Sequence, residues 1–158
     1  MKAINRTFLL ALMSMLMFAA CKSQGASGSK KAAASDFSLE IIHSGCRGYC
    51  PAYTIKVNGS GDAQYNGRRS VDMIGDYVKT LDTKTFESIV NAYEDANFFD
   101  FDDAYGAEAA DVPAVITTVK LNGKTKRVND VRNGPKALKE LEAKVEALIG
   151  TDGWDKKD

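Results

Sequence analysis

Val115-Ile116-Thr117-Thr118-Val119-Lys120-Leu121-Asn122-Gly123-Lys124 is the stretch on which the fold class turns. Val115, Thr117, Val119 and Leu121 alternate with Thr118 and Lys120, the period-two pattern of a strand with one buried face. Asn122-Gly123 then supplies residues that accept positive φ in a tight hairpin turn, and Lys124 to Val131 returns as the partner strand. On either side the period changes. Upstream, Phe86, Ile89, Val90 and Tyr93 fall at i, i+3, i+4 and i+7, one apolar helical face with Asp82 or Thr83 as its N-cap. Phe98, Phe99 and Phe101 follow and are expected to tuck the chain back over the core. Downstream, a second helix starts at Pro135, buries Leu138, Leu141, Val145 and Leu148, and ends at Gly150.

The segment before the first helix carries more strands. Phe37, Leu39 and Ile41 alternate with Ser38 and Glu40, and Tyr53, Ile55 and Val57 alternate with Thr54 and Lys56 up to Asn58-Gly59. Ala63 to Tyr65 reads as a third strand with a turn at Asn66-Gly67, and Arg69 to Ile74 as a fourth. The order β-β-β-β-α-β-β-α groups strands in runs. It predicts an α+β fold, an antiparallel sheet with two helices packed on one face. Residues 37–150 make one domain of common size, and residues 151–158 read as a C-terminal tail.

The N-terminus gives an address. Lys2 and Arg6 precede an apolar run from Phe8 to Phe18, then Ala19-Ala20-Cys21. That is the anatomy of an export signal over residues 1–20, and the run is shorter than the ~20 residues of a membrane-spanning helix. A cysteine directly after the small pair resembles a bacterial lipobox, which implies lipidation (diacylglyceryl on sulfur, then an acyl chain such as palmitate) at Cys21. The alternative is an ordinary cleaved signal that discards Cys21 or leaves it as a free thiol. Residues 21–36 are small and polar, a tether of roughly 20 Å in root-mean-square reach. The expectation is a lipoprotein of a Gram-negative-type cell envelope, held to the membrane through Cys21 with its domain facing the periplasm.

Charge agrees with anchoring by lipid. The chain carries 21 basic and 21 acidic side chains, and losing Lys2 and Arg6 with the signal leaves the balance slightly negative. This disfavours nucleic acid as a partner and electrostatic docking to membranes.

Ser44-Gly45-Cys46-Arg47-Gly48-Tyr49-Cys50-Pro51 is the strongest candidate for chemistry. With Cys21 lipidated, Cys46 and Cys50 remain as a pair in an oxidising compartment, where disulfides persist. Three roles stay open. A Cys46–Cys50 staple would close a tight loop between two strands, with Gly45 and Gly48 giving backbone freedom and Pro51 fixing the exit. A redox pair would need a thiol of lowered pKa, with Arg47 as the nearest cation. A metal site would need His43 and a distant carboxylate beside both thiolates.

At this point the chain resembles domain-of-unknown-function family 6438, found in exported bacterial proteins and lipoproteins. The likeness rests on Gly45-Cys46, Gly48, Cys50-Pro51, Tyr53, Asn58-Gly59, Tyr65-Asn66-Gly67, Asn97-Phe98-Phe99, Tyr105, Asp111 with Pro113, and Asn122-Gly123-Lys124. It covers the mature domain and implies no established activity.

Other residues add constraints. His43 is the only histidine, so a His-dependent hydrolase must use it, and nothing in the sequence brings a serine hydroxyl within hydrogen-bond reach of its ring; its place at the end of the Phe37-Leu39-Ile41 face reads as a packed residue. Asp100, Asp102, Asp103, Glu108 and Asp111 invite a calcium loop, but Ala104 and Tyr105 stand where the loop needs oxygen and glycine. Lys120, Lys124, Lys126, Arg127 and Arg132 give the hairpin a basic cast, suited to edge protection or to an anion such as an acidic glycan. No phosphate-cradling glycine loop is present, so no cofactor is expected, and no metal. The leading expectation is a non-catalytic binding or structural domain with an envelope protein or glycan partner; the rival is a thiol-disulfide protein using Cys46 and Cys50. Oligomeric state is left open.

Overall fold

The structure is a computed structural model that describes residues 36–107 and 111–158. The signal segment, Cys21, the tether up to Ser35, and Glu108 lie outside the described residues. The elements run β1 (Ser38–Ser44), β2 (Ala52–Asn58), β3 (Asp62–Arg69), β4 (Gly75–Thr80), α1 (Thr83–Asp95), a 3-10 turn (Phe98–Asp100), β5 (Ala104–Tyr105), β6 (Val115–Leu121), β7 (Lys124–Asp130), α2 (Lys136–Ile149) and β8 (Asp155–Lys156). The α+β class stands. All strands join one sheet in the order β5-β7-β6-β1-β2-β3-β4-β8. Six long strands pair antiparallel, while β5 lies parallel to β7 at one edge. Two details of the expected order change: β5 and β8 are added, and the sheet is mixed rather than purely antiparallel.

The register explains the core. Ile41 stands between Ile55 and Thr117, and Leu39 between Val57 and Val119, so one sheet face carries two consecutive buried rows, apolar but for Thr117. Both helices cover that face. α1 contributes Phe86, Ile89, Val90, Ala92 and Tyr93, and α2 contributes Leu138, Leu141, Val145 and Ile149. Phe37 and Phe98 close the core around Tyr93, with ring centroids at 6.3 and 5.2 Å.

The ends of the helices are chemically marked. Asp82 caps α1 by accepting the Thr85 N–H at 3.0 Å. α1 stops where Asn97 takes positive φ, a conformation asparagine tolerates. Pro135 is the N-cap of α2 rather than its first residue, and the Gly134 N–H is held by Asp130 at 2.6 Å. The fully buried residue near the α2 C-terminus is Ile149, with Leu148 only partly covered.

The β3–β4 connection departs from expectation. Asn66 and Gly67 are not a turn: they lie inside β3, paired with Asp76 and Gly75. The connection is Ser70–Ile74, and it folds back so closely that a Cβ on Gly67 would stand 1.8 Å from the Met73 carbonyl oxygen. Glycine is needed there for close approach. The expected strand at Arg69 to Ile74 is therefore displaced to Gly75–Thr80.

Residues 151–158 are bound to the sheet. Trp154 packs on Tyr65 at 5.8 Å, the Lys79 ammonium lies 4.5 Å from the Trp154 ring centroid, and Asp155–Lys156 pair with β4.

Candidate functional site

One step beyond the two apolar rows, the same sheet face changes character. The row reads Asp130, Val115, His43, Tyr53 and Gly67, set by the pairings Val115↔Asp130, His43↔Val115, His43↔Tyr53 and Tyr53↔Gly67. α2 runs across this end of the sheet. It starts beside Asp130 of β7, Glu142 meets Thr117 of β6, Glu146 meets His43 of β1 and Tyr53 of β2, and the Ile149 carbonyl accepts from Lys79 of β4.

The contacts are close. The rings of His43 and Tyr53 stack at 4.2 Å with 16° between planes. His43 Nε2 lies 2.7 Å from Glu146 Oε1, and the Tyr53 hydroxyl donates to Glu146 Oε2 at 2.9 Å. Burial, then the Glu146 charge, hold the Tyr53 hydroxyl far above its ordinary pKa. Glu142 is 6 % exposed and accepts the Thr117 hydroxyl at 2.8 Å. Burial pushes its carboxyl up to about 7, helped by the charges of Asp130 and Glu146 and opposed by the Thr117 hydrogen bond and by His43. On α1, the fully buried Tyr93 hydroxyl has no hydrogen-bond partner among the described residues, and burial followed by Glu142 and Glu146 keeps it protonated.

Above this row the Cys46–Cys50 loop forms a lip. The two sulfurs are bonded, with Cα atoms 5.4 Å apart. The Ala114 N–H donates to Ser44 Oγ at 2.9 Å, the Ser44 N–H donates to the Ala114 carbonyl at 3.0 Å, and Arg69 donates to the Cys46 carbonyl. Gly45 takes φ +76° with its missing Cβ position 3.0 Å from Ala52 Cβ, so only glycine fits that turn. Arg47 pairs with Asp111 at 2.7 Å, and the Gly48 N–H donates to Cys46 Sγ at 3.3 Å. Tyr49 stands 97 % exposed at the tip.

Between lip and helix lies a cleft of about 510 Å³. Its floor carries His43, Asp130, Glu142 and Glu146, and Arg132 and Lys139 also line it. A hollow of about 530 Å³ lies beyond Cys46, with Arg47, Arg69 and Asn129 in its lining. Both of its guanidiniums are already engaged, so the titratable chemistry gathers in the cleft.

The remaining candidates lie apart from the cleft. Asp103 pairs with Lys126 at 2.6 Å and Lys120 with Asp36 at 2.6 Å; Asp100 and Asp102 are exposed. Among the described residues no group of three or more His, Cys, Asp or Glu side chains is arranged to hold a metal ion. Asp130, Glu142 and Glu146 are site residues that periodicity does not single out. Glu142 sits at i+4 from Leu138 and i−3 from Val145, on the apolar stripe of α2, and a carboxylate at that position was a readable signal.

Residues 37–149 match the family model described as a domain of unknown function, DUF6438. The chain belongs to this family. The match takes in every long strand and both helices of the DUF6438 domain, with the whole cleft. Comparison with curated proteins returns no match. No helix among the described residues is long and apolar enough to cross a membrane.

Proposed function

We propose that the chain is a membrane-anchored envelope lipoprotein, lipidated at Cys21, whose domain is a non-catalytic binding module. One observation carries this reading: entry and site lie at opposite ends of β1. Ser38 pairs with Asn58 and Lys120, and Asp36 accepts the Gly123 N–H at 2.9 Å, so the chain enters beside the two hairpin turns. His43 and Ser44 at the other end lead into the cleft and the Cys46–Cys50 loop. A domain tethered at the entry pole offers its cleft away from the lipid surface. The cleft has binding groups but no armed nucleophile: among the described residues, no Ser, Thr or Cys shares a hydrogen bond with the His43 ring.

Two measurements test this. Cys21→Ser in cells should abolish acyl labelling and move the chain to the soluble periplasmic fraction; unchanged membrane retention would remove the anchor from the account. A photo-crosslinker at position 49 should give adducts with envelope components while one at position 122 gives none. Equal adducts from both poles would contradict polar presentation.

Thiol-disulfide exchange is the second reading, favoured by the N–H donor on Cys46 Sγ, which would stabilise a thiolate there. A Cys50→Ser chain should then trap mixed disulfides. A pair with a potential below about −300 mV is a staple and ends this reading.

A further inference from the structure

Asp130 and Glu142 occupy the cleft floor at 4 % and 6 % exposure, and among the described residues neither is in an ion pair. Their hydrogen-bond donors are neutral, the Gly134 N–H and the Thr117 hydroxyl. Buried carboxylates ordinarily keep a cation beside them. His43 is the one candidate on the floor, and its Nε2 is taken by Glu146. Three carboxyl groups thus share the floor with a single imidazole.

The cleft's exposed edge has the opposite character. Arg132 and Lys139 both line it and are exposed, and Lys139 Nζ donates to the Arg132 carbonyl at 2.7 Å, which fixes the ammonium beside the arginine. Lys139, Glu142 and Glu146 stand at i, i+3 and i+7 on α2, one stripe of the helix. Neighbours in such a stripe have Cβ atoms roughly 5–6 Å apart. Cationic edge and anionic floor are thus separated by about one helical turn. That spacing suits opposite charges held close together in one small molecule. Pro51, Pro113, Val115 and Ala143 add apolar wall, and about 510 Å³ is the size of a small-ligand site.

We propose that this cleft binds an amino-acid-type zwitterion, its ammonium received by Glu142 and Asp130 with Glu146 adjoining, its carboxylate by Arg132 and Lys139. The proposal rests on the binding-module reading and names its ligand class. The same chemistry is offered by a free amino acid and by an amino-carboxylate side chain within a peptide.

The test uses the full chain in detergent micelles, followed by NMR of the Val115 and Ala143 methyl groups. The probes are L-alanine, D-alanine and a tripeptide carrying diaminopimelate, with ethylamine and acetate as half-ligands. Zwitterions should give saturable shifts confined to the cleft, and each half-ligand should bind about tenfold or more weakly. Preference for the tripeptide over alanine identifies a peptide-borne source; the reverse identifies the free amino acid; either supports the site. Glu142→Gln, which can still accept from Thr117, should weaken alanine or tripeptide binding by about tenfold or more, and Lys139→Gln by less. Silence toward all three zwitterions, equal binding of ethylamine and alanine, or unchanged affinity in Glu142→Gln overturns the proposal. If position 49 still cross-links while the cleft is silent, the ligand class falls and the binding module stands.

Discussion

The two helices lie on the same face of the same sheet and bury different chemistry. α1 covers the apolar rows with Phe86, Ile89, Val90, Ala92 and Tyr93, and its buried polar atom is the Tyr93 hydroxyl. α2 follows the same spacing with Leu138, Leu141, Val145 and Ile149, yet sets Glu142 among them. An apolar residue at position 142 would pack without desolvating a carboxyl. A buried carboxylate without a cation lowers stability, and such local departures from core chemistry mark functional positions. α1 is therefore a packing element, and α2 is both packing element and site.

The sharpest test of that contrast is on the packing side. Ile89 is fully buried, so Ile89→Ala should cost about 4 kcal/mol in urea unfolding, equally at pH 5 and pH 8. A cost below about 1 kcal/mol would mean that α1 is not core. Glu142→Gln should behave in the opposite sense and only above acid pH. Below pH 4.5 the carboxyl is protonated in both states, and the substitution changes little. As pH rises from 4.5 to about 7 the unfolded chain ionises first, so the native state loses stability progressively. Above that window the full penalty of about 3 kcal/mol is present. The variant should therefore match the parent at pH 4 and exceed it by about 3 kcal/mol at pH 8. Equal stability at both pH values would erase the distinction between the helices.

Smaller effects sharpen the edge of the site. Replacing Cys46 and Cys50 together by serine should cost about 2 kcal/mol, the chain-entropy value for so short a loop. Melting curves with and without reductant check it, and an unchanged midpoint would remove the staple. Tyr53→Phe deletes the bond to Glu146 and should cost about 1 kcal/mol by the same unfolding assay, with the His43 ring still stacked.

Much of this architecture is legible without coordinates, wherever side chains repeat with a period. β1, β2, the β6–β7 hairpin and both helices announce themselves because alternating or helical apolar faces must meet a core. Features made by backbone alone do not. β5 and β8 are two-residue pairings, too short for any pattern. Asn66-Gly67 carries the composition of a turn, but Gly67 is glycine because the chain at Met73 crosses it. The site is half legible. The Cys46–Cys50 loop stands out in sequence, and the end of the β1 face correctly puts His43 on the helix side. Its partners come from residues 103 positions away in Glu146 and from a carboxylate that a search for apolar periodicity passes over.

The cleft floor is set apart by carboxyl groups that outnumber the cations beside them. The direct measurement is a carbon-13 NMR titration of the Glu142 side-chain carboxyl in the ligand-free chain. Burial beside Asp130 and Glu146, with only Thr117 and His43 opposing, predicts a midpoint near 7. A midpoint near the ordinary 4.5 would mean the carboxylate is solvated or already neutralised, and the contrast between α1 and α2 would fail.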